Sequence, residues 1–201
     1  MVILDCEQYS EEWFKARAGI PTASNFDKIV TTKGEPSKSA KNYLYQLAGE
    51  MITGVKTETY QNAIMQRGLE MEAEAKDLFR FALGEVKEVG LIYPDEQKKC
   101  ACSPDGLLED AGLEIKCPLI HTQVSYLLSN KLPTDYIQQV QGSMLVTGFK
   151  KWFFMSYYPG LPPLILEIHR DDAFIEKLKT ELDSFVFELV QITHQLKEMA
   201  A

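Results

Sequence analysis

The stretch that decides the fold is residues 100–118, CACSPDGLLEDAGLEIKCP. Two runs with apolar and β-branched residues flank a short segment with Glu, Asp, Ala and Gly, a pattern typical of strands joined by a turn. We therefore expect strands over 99–108 and 113–117 and a turn over 109–112. Successive side chains of a strand point to opposite faces. Glu114 and Lys116 should share one face, while their apolar neighbours enter the core.

Asp105 lies on the first of these strands, and the turn could place it against Glu114. Two adjacent carboxylates repel each other and favour a shared proton or a bound cation. Oxygen ligands suit Mg²⁺ or Mn²⁺, and such an ion would lower the pKa of a bound water and neutralise a phosphoryl oxygen. Lys116 could then have a lowered pKa and orient or deprotonate that water. A plain alternative stays open, in which Asp105 is a turn residue and Glu114 and Lys116 form a solvated pair.

The rest of the chain predicts helices around a small sheet, and hence one mixed α/β domain over residues 1–201 with a central mixed β-sheet flanked by helices. Along the helix expected over 63–83, an apolar stripe recurs at helical spacing: Gly68, Met71, Ala75, Leu78 and Ala82. The long last helix begins near residue 172, and its apolar seam fits either a coiled coil or a helix laid along its own domain. The predicted helices cover 11–18, 22–30, 40–52, 63–83, 122–129, 135–146 and the C-terminal segment; further strands cover 86–93, 152–158 and 164–169, and loops cover 31–39 and 54–61.

Composition narrows the class of protein. The 201 residues are 45% hydrophobic and 25% charged, an ordinary globular mixture that argues against disorder. A net charge of -8 argues against a general nucleic-acid coat but suits an enzyme that gathers carboxylates around a metal. No apolar run reaches the ~18 residues of a membrane span, and no secretory signal is visible. Four cysteines and three scattered histidines favour free thiols in a reducing compartment over a zinc site.

Five sequence blocks, in order, resemble the phage lambda exonuclease family, the viral-type recombination nucleases of the PD-(D/E)xK superfamily. The blocks are Trp13-x3-Arg17-x-Gly19 with Thr22-Ala23-Ser24, Gly68-x3-Glu72, Ala101-Cys102-Ser103-Pro104-Asp105-Gly106, Leu113-Glu114-Ile115-Lys116-Cys117-Pro118 and Tyr136-x2-Gln139-Val140-Gln141. Together they span about residues 13–141. The resemblance implies a restriction-endonuclease-like core. It also favours the metal-binding interpretation of Asp105, Glu114 and Lys116 over the alternative of a turn residue and a solvated pair.

The resemblance also implies the catalytic set, which is Glu72, Asp105, Glu114 and Lys116. Helical periodicity does not choose among the glutamates at 70, 72 and 74, since all flank the apolar stripe; only the Gly68-x3-Glu72 block selects Glu72. By resemblance Asp105 and Glu114 bind the metal, the backbone carbonyl of Ile115 adds a ligand, and Glu72 is a further candidate ligand. The implied cofactor is Mg²⁺, with Mn²⁺ as a substitute.

A pocket for the 5′-phosphate at a DNA end is implied as well, at Arg17, Ser24, Ser103 and Gln139. Arginine binds phosphate bidentately, hydroxyls add neutral donors, and a helix N-terminus near Ser24 would add backbone N–H groups. Three alternatives stay open. Arg17 could form a surface ion pair with Glu11 or Glu12, Gln139 could line the metal site, and Tyr136 could either hold DNA or be buried.

The family forms homotrimeric rings around duplex DNA and works with a single-strand annealing protein. The resemblance therefore implies an ATP-independent, processive 5′→3′ exonuclease on linear double-stranded DNA, of phage or prophage origin and located in a bacterial cytoplasm. Candidate channel residues are Lys28, Lys33, Lys38 and Lys41, and the loop over 54–61 offers Val55 and Tyr60 as duplex-splitting wedges. Alternatives are an endonuclease or single-strand nuclease of the same superfamily, and a non-catalytic adaptor that binds DNA ends.

Overall fold

The β-structure consists of two sheets in the computed structural model, which describes residues 1–56 and 63–199. The smaller sheet is an antiparallel pair, β1 (Val2–Leu4) with β2 (Leu91–Tyr93). The larger sheet has four strands in the order β3 (Gly106–Leu107), β4 (Ala111–Lys116), β5 (Lys151–Ser156) and β6 (Leu164–His169). β4 and β5 are parallel and the other neighbours are antiparallel, so the expected mixed sheet is confirmed.

Helices complete the fold around these sheets, as the mixed α/β expectation requires. They are α1 (Glu11–Arg17), a 3₁₀ helix (Ala23–Lys28), α2 (Ala40–Thr53), α3 (Ala63–Leu83), α4 (Ile120–Ser129), a 3₁₀ turn (Thr134–Tyr136), α5 (Ile137–Thr147) and α6 (Asp172–Met199). The expected helix over 22–30 is therefore a shorter 3₁₀ helix. Parallel strands need a long crossover, and α4 and α5 supply it between β4 and β5.

The strands before the turn are much shorter than predicted. The continuous strands predicted over 86–93 and 99–108 are reduced to β2 and β3, and outside their own ladders the segments are joined by isolated bridges, Ile92 with Cys102 and Lys87 with Leu107. Pro104 has no N–H to donate to a ladder, which explains why regular pairing does not run through this segment. The second strand of the decisive stretch is longer than predicted, because pairing with β5 extends it back to Ala111.

The buried stripe of α3 differs from the expected one. Ala75 and Phe79 are fully buried, whereas Leu78 is 39% exposed and Ala82 is exposed. The stripe follows steps of four residues, and Phe79 packs edge-to-face on Phe153 of β5, with 5.6 Å between ring centroids. On α2, Met51 shares the helical spacing of the buried Tyr43 and Leu47 but is exposed.

The last helix lies along its own domain, which was one of the two interpretations of its apolar seam. Leu178, Leu182 and Leu189 of α6 are buried in the main core, and Phe185 stacks on Tyr43 of α2 at 5.7 Å.

All four cysteines are free thiols, and Cys100 and Cys102 are buried. Among the described residues, no helix has both the length and the apolar character to cross a bilayer.

Candidate active site

Strand β4 carries the centre of the site. Glu114 is only 3% exposed, and its Oε1 accepts hydrogen bonds from Lys116 Nζ at 2.5 Å and from Gln139 Nε2 of α5 at 2.6 Å. Alternation along β4 puts Glu114 and Lys116 on one face, as predicted, while Leu113 and Ile115 are buried on the other. The solvated pair considered from the sequence is therefore wrong, since Glu114 lies beneath α5.

Asp105 reaches this centre from the segment before β3. Its backbone N–H donates to Leu113 O at 3.0 Å, and its Oδ2 accepts from Ile115 N at 2.5 Å. The carboxylate is thereby fixed beside Glu114. Burial raises the pKa of Asp105 well above its usual range, and the negative charges of Glu114 and Glu72 raise it further. Two carboxylates held together in this way favour a bound cation.

Glu72 joins the cluster from α3. Burial raises the pKa of its carboxyl; the charge of Glu114 adds to that rise, while Lys76 opposes it from 3.7 Å. Arg67, one turn earlier, anchors the helix, because its Nη2 donates to Cys117 O at 3.2 Å and to Pro118 O at 2.7 Å just beyond β4. The structure thus brings the four predicted catalytic residues to one place.

The expected lowering of the Lys116 pKa concerns the site with a metal ion bound, and it stays a prediction. Burial opposes the ammonium charge, but the carboxylates of Glu114 and Asp105 outweigh it and raise the pKa of Lys116 above its usual value. The hydrogen bond to Glu114 acts in the same direction. The prediction places Lys116 beside a bound cation, whereas the side chain in this structure lies against the carboxylates of Glu114 and Asp105.

The donor chemistry fits a divalent metal. Within residues 1–56 and 63–199, no three His, Cys, Asp or Glu side chains form a ready-made metal cage. Mg²⁺ does not need one, since it keeps several waters and usually binds through one or two carboxylates plus substrate oxygens. Asp105 and Glu114 are such a pair, since the Ile115 N–H holds the Asp105 carboxylate beside Glu114, and a cation would relieve the repulsion between the two carboxylates. The residues therefore fit the implied cofactor.

A second, basic cluster lies around Arg17, which is 9% exposed. Arg17 Nη1 donates to Ser103 Oγ at 2.9 Å, and Nη2 lies 3.4 Å from the hydroxyl oxygens of Thr22 and Ser24. The guanidinium also lies 4.0 Å from the ring centre of Trp13. Its buried Nε has no hydrogen-bond partner among the described residues. Three of the four residues assigned to the phosphate pocket therefore meet.

The surface ion pair considered for Arg17 is wrong, since Glu11 pairs with Lys15 at 2.7 Å and Arg17 is buried. The fourth pocket residue, Gln139, contacts Glu114 and so lines the acidic cluster, the alternative that the sequence had left open. Tyr136 is half-buried, packs on Phe154 with ring centroids 5.2 Å apart, and lies 5.2 Å from Lys116 Nζ. Its role in holding DNA stays a prediction.

Some further residues were not predicted from the sequence. Gln8 Nε2 donates to Pro104 O at 2.8 Å, directly before Asp105. Its neighbour Tyr9 lines a cleft of about 530 Å³ together with Glu72 and Asp105. Burial raises the pKa of Tyr9 to about 12, and the two carboxylates raise it in the same direction. Glu50 is 1% exposed and accepts from Gly19 N at 3.0 Å, two residues beyond Arg17. The position of Glu50 on the apolar face of α2 was an available signal for a buried acid.

The candidate channel and wedge residues are only partly described. Lys33, Lys38 and Lys41 are exposed, whereas Lys28 is half-buried with its ammonium 5.0 Å from the ring of Tyr43. In the expected wedge loop, Val55 is 65% exposed, and Tyr60 lies outside the described residues.

The chain is similar to a known family and to solved structures. A model of the YqaJ-like viral recombinase domain matches residues 12–150. The alkaline exonuclease LHK-Exo of Laribacter hongkongensis is 36% identical, with a TM-score of 0.86 over 95% of this chain and 98% of that chain. A structure of LHK-Exo in complex with dAMP matches equally well. A phage related exonuclease from Haemophilus somnus 129PT shares the fold at 16% identity, with a TM-score of 0.69 over 88% of this chain and 96% of that chain.

A search of curated proteins gave no match. The family model covers well over half of the chain, and LHK-Exo matches nearly all of it. Both agree with the resemblance drawn from the five sequence blocks, which lie on helices as well as on the strands that carry the carboxylates. The chain therefore belongs to the YqaJ-like viral recombinase family, among the lambda-exonuclease-like nucleases.

Proposed function

We propose that this recombination nuclease is a Mg²⁺-dependent, ATP-independent exonuclease that degrades one strand of linear duplex DNA from a 5′-phosphorylated end. The observation that carries the proposal is the pair of neighbouring clusters, one of carboxylates and one around Arg17. Ser103 of the basic cluster is two residues from Asp105 of the acidic one. One cluster suits a phosphodiester to be cut and the other suits a terminal phosphate. That combination distinguishes an end-dependent enzyme from an endonuclease.

The basic cluster would bind the terminal phosphate. Arg17 is already oriented by Ser103 and Trp13, so little side-chain freedom is lost when a phosphate binds. A phosphate oxygen would satisfy the buried Nε of Arg17, and the hydroxyl of Ser24, which is exposed at its surface, would add a neutral donor.

The acidic cluster would perform the hydrolysis. Asp105, Glu114 and the carbonyl of Ile115 would hold the divalent ion, with Glu72 as a further ligand. When bound, such an ion lowers the pKa of a coordinated water and neutralises charge on a phosphoryl oxygen. Lys116 would place its ammonium against the charge that develops on the phosphate. Gln139 keeps the Glu114 carboxylate in position through the 2.6 Å hydrogen bond.

The wider role follows the family resemblance. A single nuclease domain over residues 1–201 would work 5′→3′, release 5′-mononucleotides and leave a 3′ single strand for an annealing protein, in the cytoplasm of a bacterial host carrying a phage or prophage. LHK-Exo forms a complex with dAMP, a nucleoside monophosphate of the kind that this reaction releases. A homotrimeric ring would make the reaction processive, because the DNA stays threaded between cuts.

The direct test is digestion of one linear duplex carrying either a 5′-phosphate or a 5′-hydroxyl, with closed circular DNA beside it. We expect mononucleotide release from the phosphorylated end, slower release from the hydroxyl end, no cutting of the circle, and loss of activity in EDTA that Mg²⁺ or Mn²⁺ restores. Cutting of the circle would support an endonuclease. Binding to ends without hydrolysis would support an adaptor.

Two substitutions separate the clusters. Lys116→Met should abolish release on both ends, whereas Lys99→Met, at an exposed lysine, should leave it unchanged. Arg17→Lys removes part of the guanidinium fork and should lower kcat/KM about tenfold on the phosphorylated end alone, the worth of one hydrogen bond to a charged group. An equal loss on both ends would contradict the phosphate pocket.

The ring is tested by mass. Oligomers cover large exposed apolar patches, and α4 with its preceding residue carries such a stripe: Leu119, Ile120, Val124 and Leu128, the last 83% exposed. We propose that a second copy of this chain covers the stripe. Sedimentation should give three copies for the wild type and fewer for Leu128→Glu. A wild-type monomer would remove the ring, and with it the processive mechanism, while leaving hydrolysis standing.

A further inference from the structure

The residue at the entrance to the site has an unusual backbone. Tyr9 has φ 66°, a left-handed conformation that is unfavourable for a residue with a Cβ atom. It is fixed from both sides. Gln8 Nε2 donates to Val89 O at 2.9 Å and to Pro104 O at 2.8 Å, and Ser10 N donates to Glu7 O at 3.2 Å before Ser10 caps α1. Such a conformation persists where surrounding structure imposes it, commonly at ligand-binding positions.

The imposed conformation places the Tyr9 ring between the two clusters. Tyr9 and Glu72 line two adjoining clefts, of about 560 and 530 Å³, and Asp105 lines the second. On the other side the Tyr9 ring lies 5.1 Å from the ring of Trp13, which in turn packs on the Arg17 guanidinium at 4.0 Å. Tyr9 is nevertheless 49% exposed. One part of the residue is therefore supported by Trp13, and the rest remains available to a ligand.

The position of the DNA in this site rests on the proposed function. If the terminal 5′-phosphate binds at Arg17 and the phosphodiester to be cut lies at Asp105 and Glu114, one nucleoside connects these two phosphates. Tyr9 adjoins both clusters, so its exposed ring faces the space that this nucleoside must occupy. We propose that Tyr9 stacks on the base of the 5′-terminal nucleotide and so positions that nucleotide for cleavage. Every base has a π face, so the contact is independent of sequence, as an exonuclease requires.

The test measures release of the first nucleotide from two 5′-phosphorylated duplexes that differ only in the terminal nucleotide, which is normal in one and abasic in the other. The enzymes are the wild type, Tyr9→Ala, Tyr9→Phe and the control Tyr45→Ala, which removes a tyrosine of α2 that is 53% exposed. Tyr9→Ala should lower kcat/KM on the normal duplex about tenfold, a typical loss for one base–aromatic stack. Tyr9→Phe keeps the ring, and Tyr45 lines neither of the two clefts, so both variants should behave as wild type on the comparison of the two duplexes.

The abasic duplex supplies the deciding comparison. The wild type should lose about tenfold when the terminal base is missing, and Tyr9→Ala should lose little more, because one stack cannot be removed twice. A wild type indifferent to the missing base would overturn the proposal without any variant, as would a Tyr9→Ala loss of equal size on both duplexes. A wild type that ignores the 5′-phosphate but keeps the coupling between Tyr9 and the base would contradict the phosphate pocket and support the stack.

Discussion

Removal of the Glu50 carboxylate should destabilise the turn that follows Arg17. Glu50 is 1% exposed and accepts hydrogen bonds from Gly19 N at 3.0 Å and from Lys56 Nζ at 3.1 Å. Glu50→Ala leaves a buried N–H and a largely covered ammonium without that acceptor, and breaking a buried pair from one side costs about 3–5 kcal/mol. Lys56 is 15% exposed and can reach water, which favours the lower end. At about 2–4 °C per kcal/mol for a chain of this size, the melting temperature should fall by about 6–12 °C.

Thermal unfolding followed by circular dichroism measures this change, with Glu11→Gln as the matched control. Glu11 also forms an ion pair, with Lys15, but both side chains are exposed, so its loss should leave the melting temperature unchanged. A double variant, Glu50→Gln with Lys56→Met, should recover part of the loss because it removes both charges of the Glu50–Lys56 pair together. A stabilising role for the Glu50 carboxylate would be refuted if Glu50→Ala melted like the wild type, or if the melting temperature of the Glu11→Gln control fell as far. Either result would show that the buried hydrogen bonds of Glu50 do not stabilise the turn.

Three further predictions concern the site and its support. Asp105→Asn should lower activity about a hundredfold or more, through weakened metal binding, without lowering the melting temperature, because the amide oxygen can still accept from the backbone and carboxylate repulsion is removed. Gly112→Ala would place a Cβ 2.2–2.4 Å from the Trp152 ring and should lower the free energy of unfolding by at least 1–3 kcal/mol. The control is Gly49→Ala, whose added Cβ would meet no described atom within 4 Å outside its own helix backbone and chain neighbours. It should raise the melting temperature slightly. Tyr9→Gly should melt a few degrees above Tyr9→Ala, since glycine accepts the positive φ, while both show the same loss of activity; equal melting temperatures in differential scanning calorimetry would contradict the strain.

The central strand was predictable because its period of two is a local property. Glu114 and Lys116 share a face wherever a strand forms, so their proximity follows from the sequence alone. The burial of Glu114 does not, because it depends on Gln139, which the crossover through α4 and α5 brings back from 25 residues away. Burial opposes the charge of Lys116, and two carboxylates raise its pKa: Glu114 on the same strand, which the period of two places, and Asp105 on a separate segment, which it does not.

The helices show where periodicity is weakest. On α3, steps of three and four residues both satisfy a helical stripe, and the choice between Leu78 and Phe79 depends on which side β5 approaches. Arg17 could not be placed from the sequence either, since a surface pair with Glu11 or Glu12 and a buried role near Ser103 fit its neighbours equally well. The family blocks favoured the phosphate pocket without excluding the surface pair, and the choice is made by tertiary contacts, the burial of Arg17 and its hydrogen bond to Ser103.

The carboxylate of Asp105 also has a role in the sheet. β3 is only two residues long, and beyond it the Ile115 N–H would face an edge with no neighbouring backbone, so Oδ2 of Asp105 takes the place of a strand partner. Alanine at this position would therefore remove the proposed metal ligand and, in addition, the acceptor for the Ile115 N–H. The loss of activity in such a variant would mix chemistry with local unfolding, and only an isosteric replacement tells them apart.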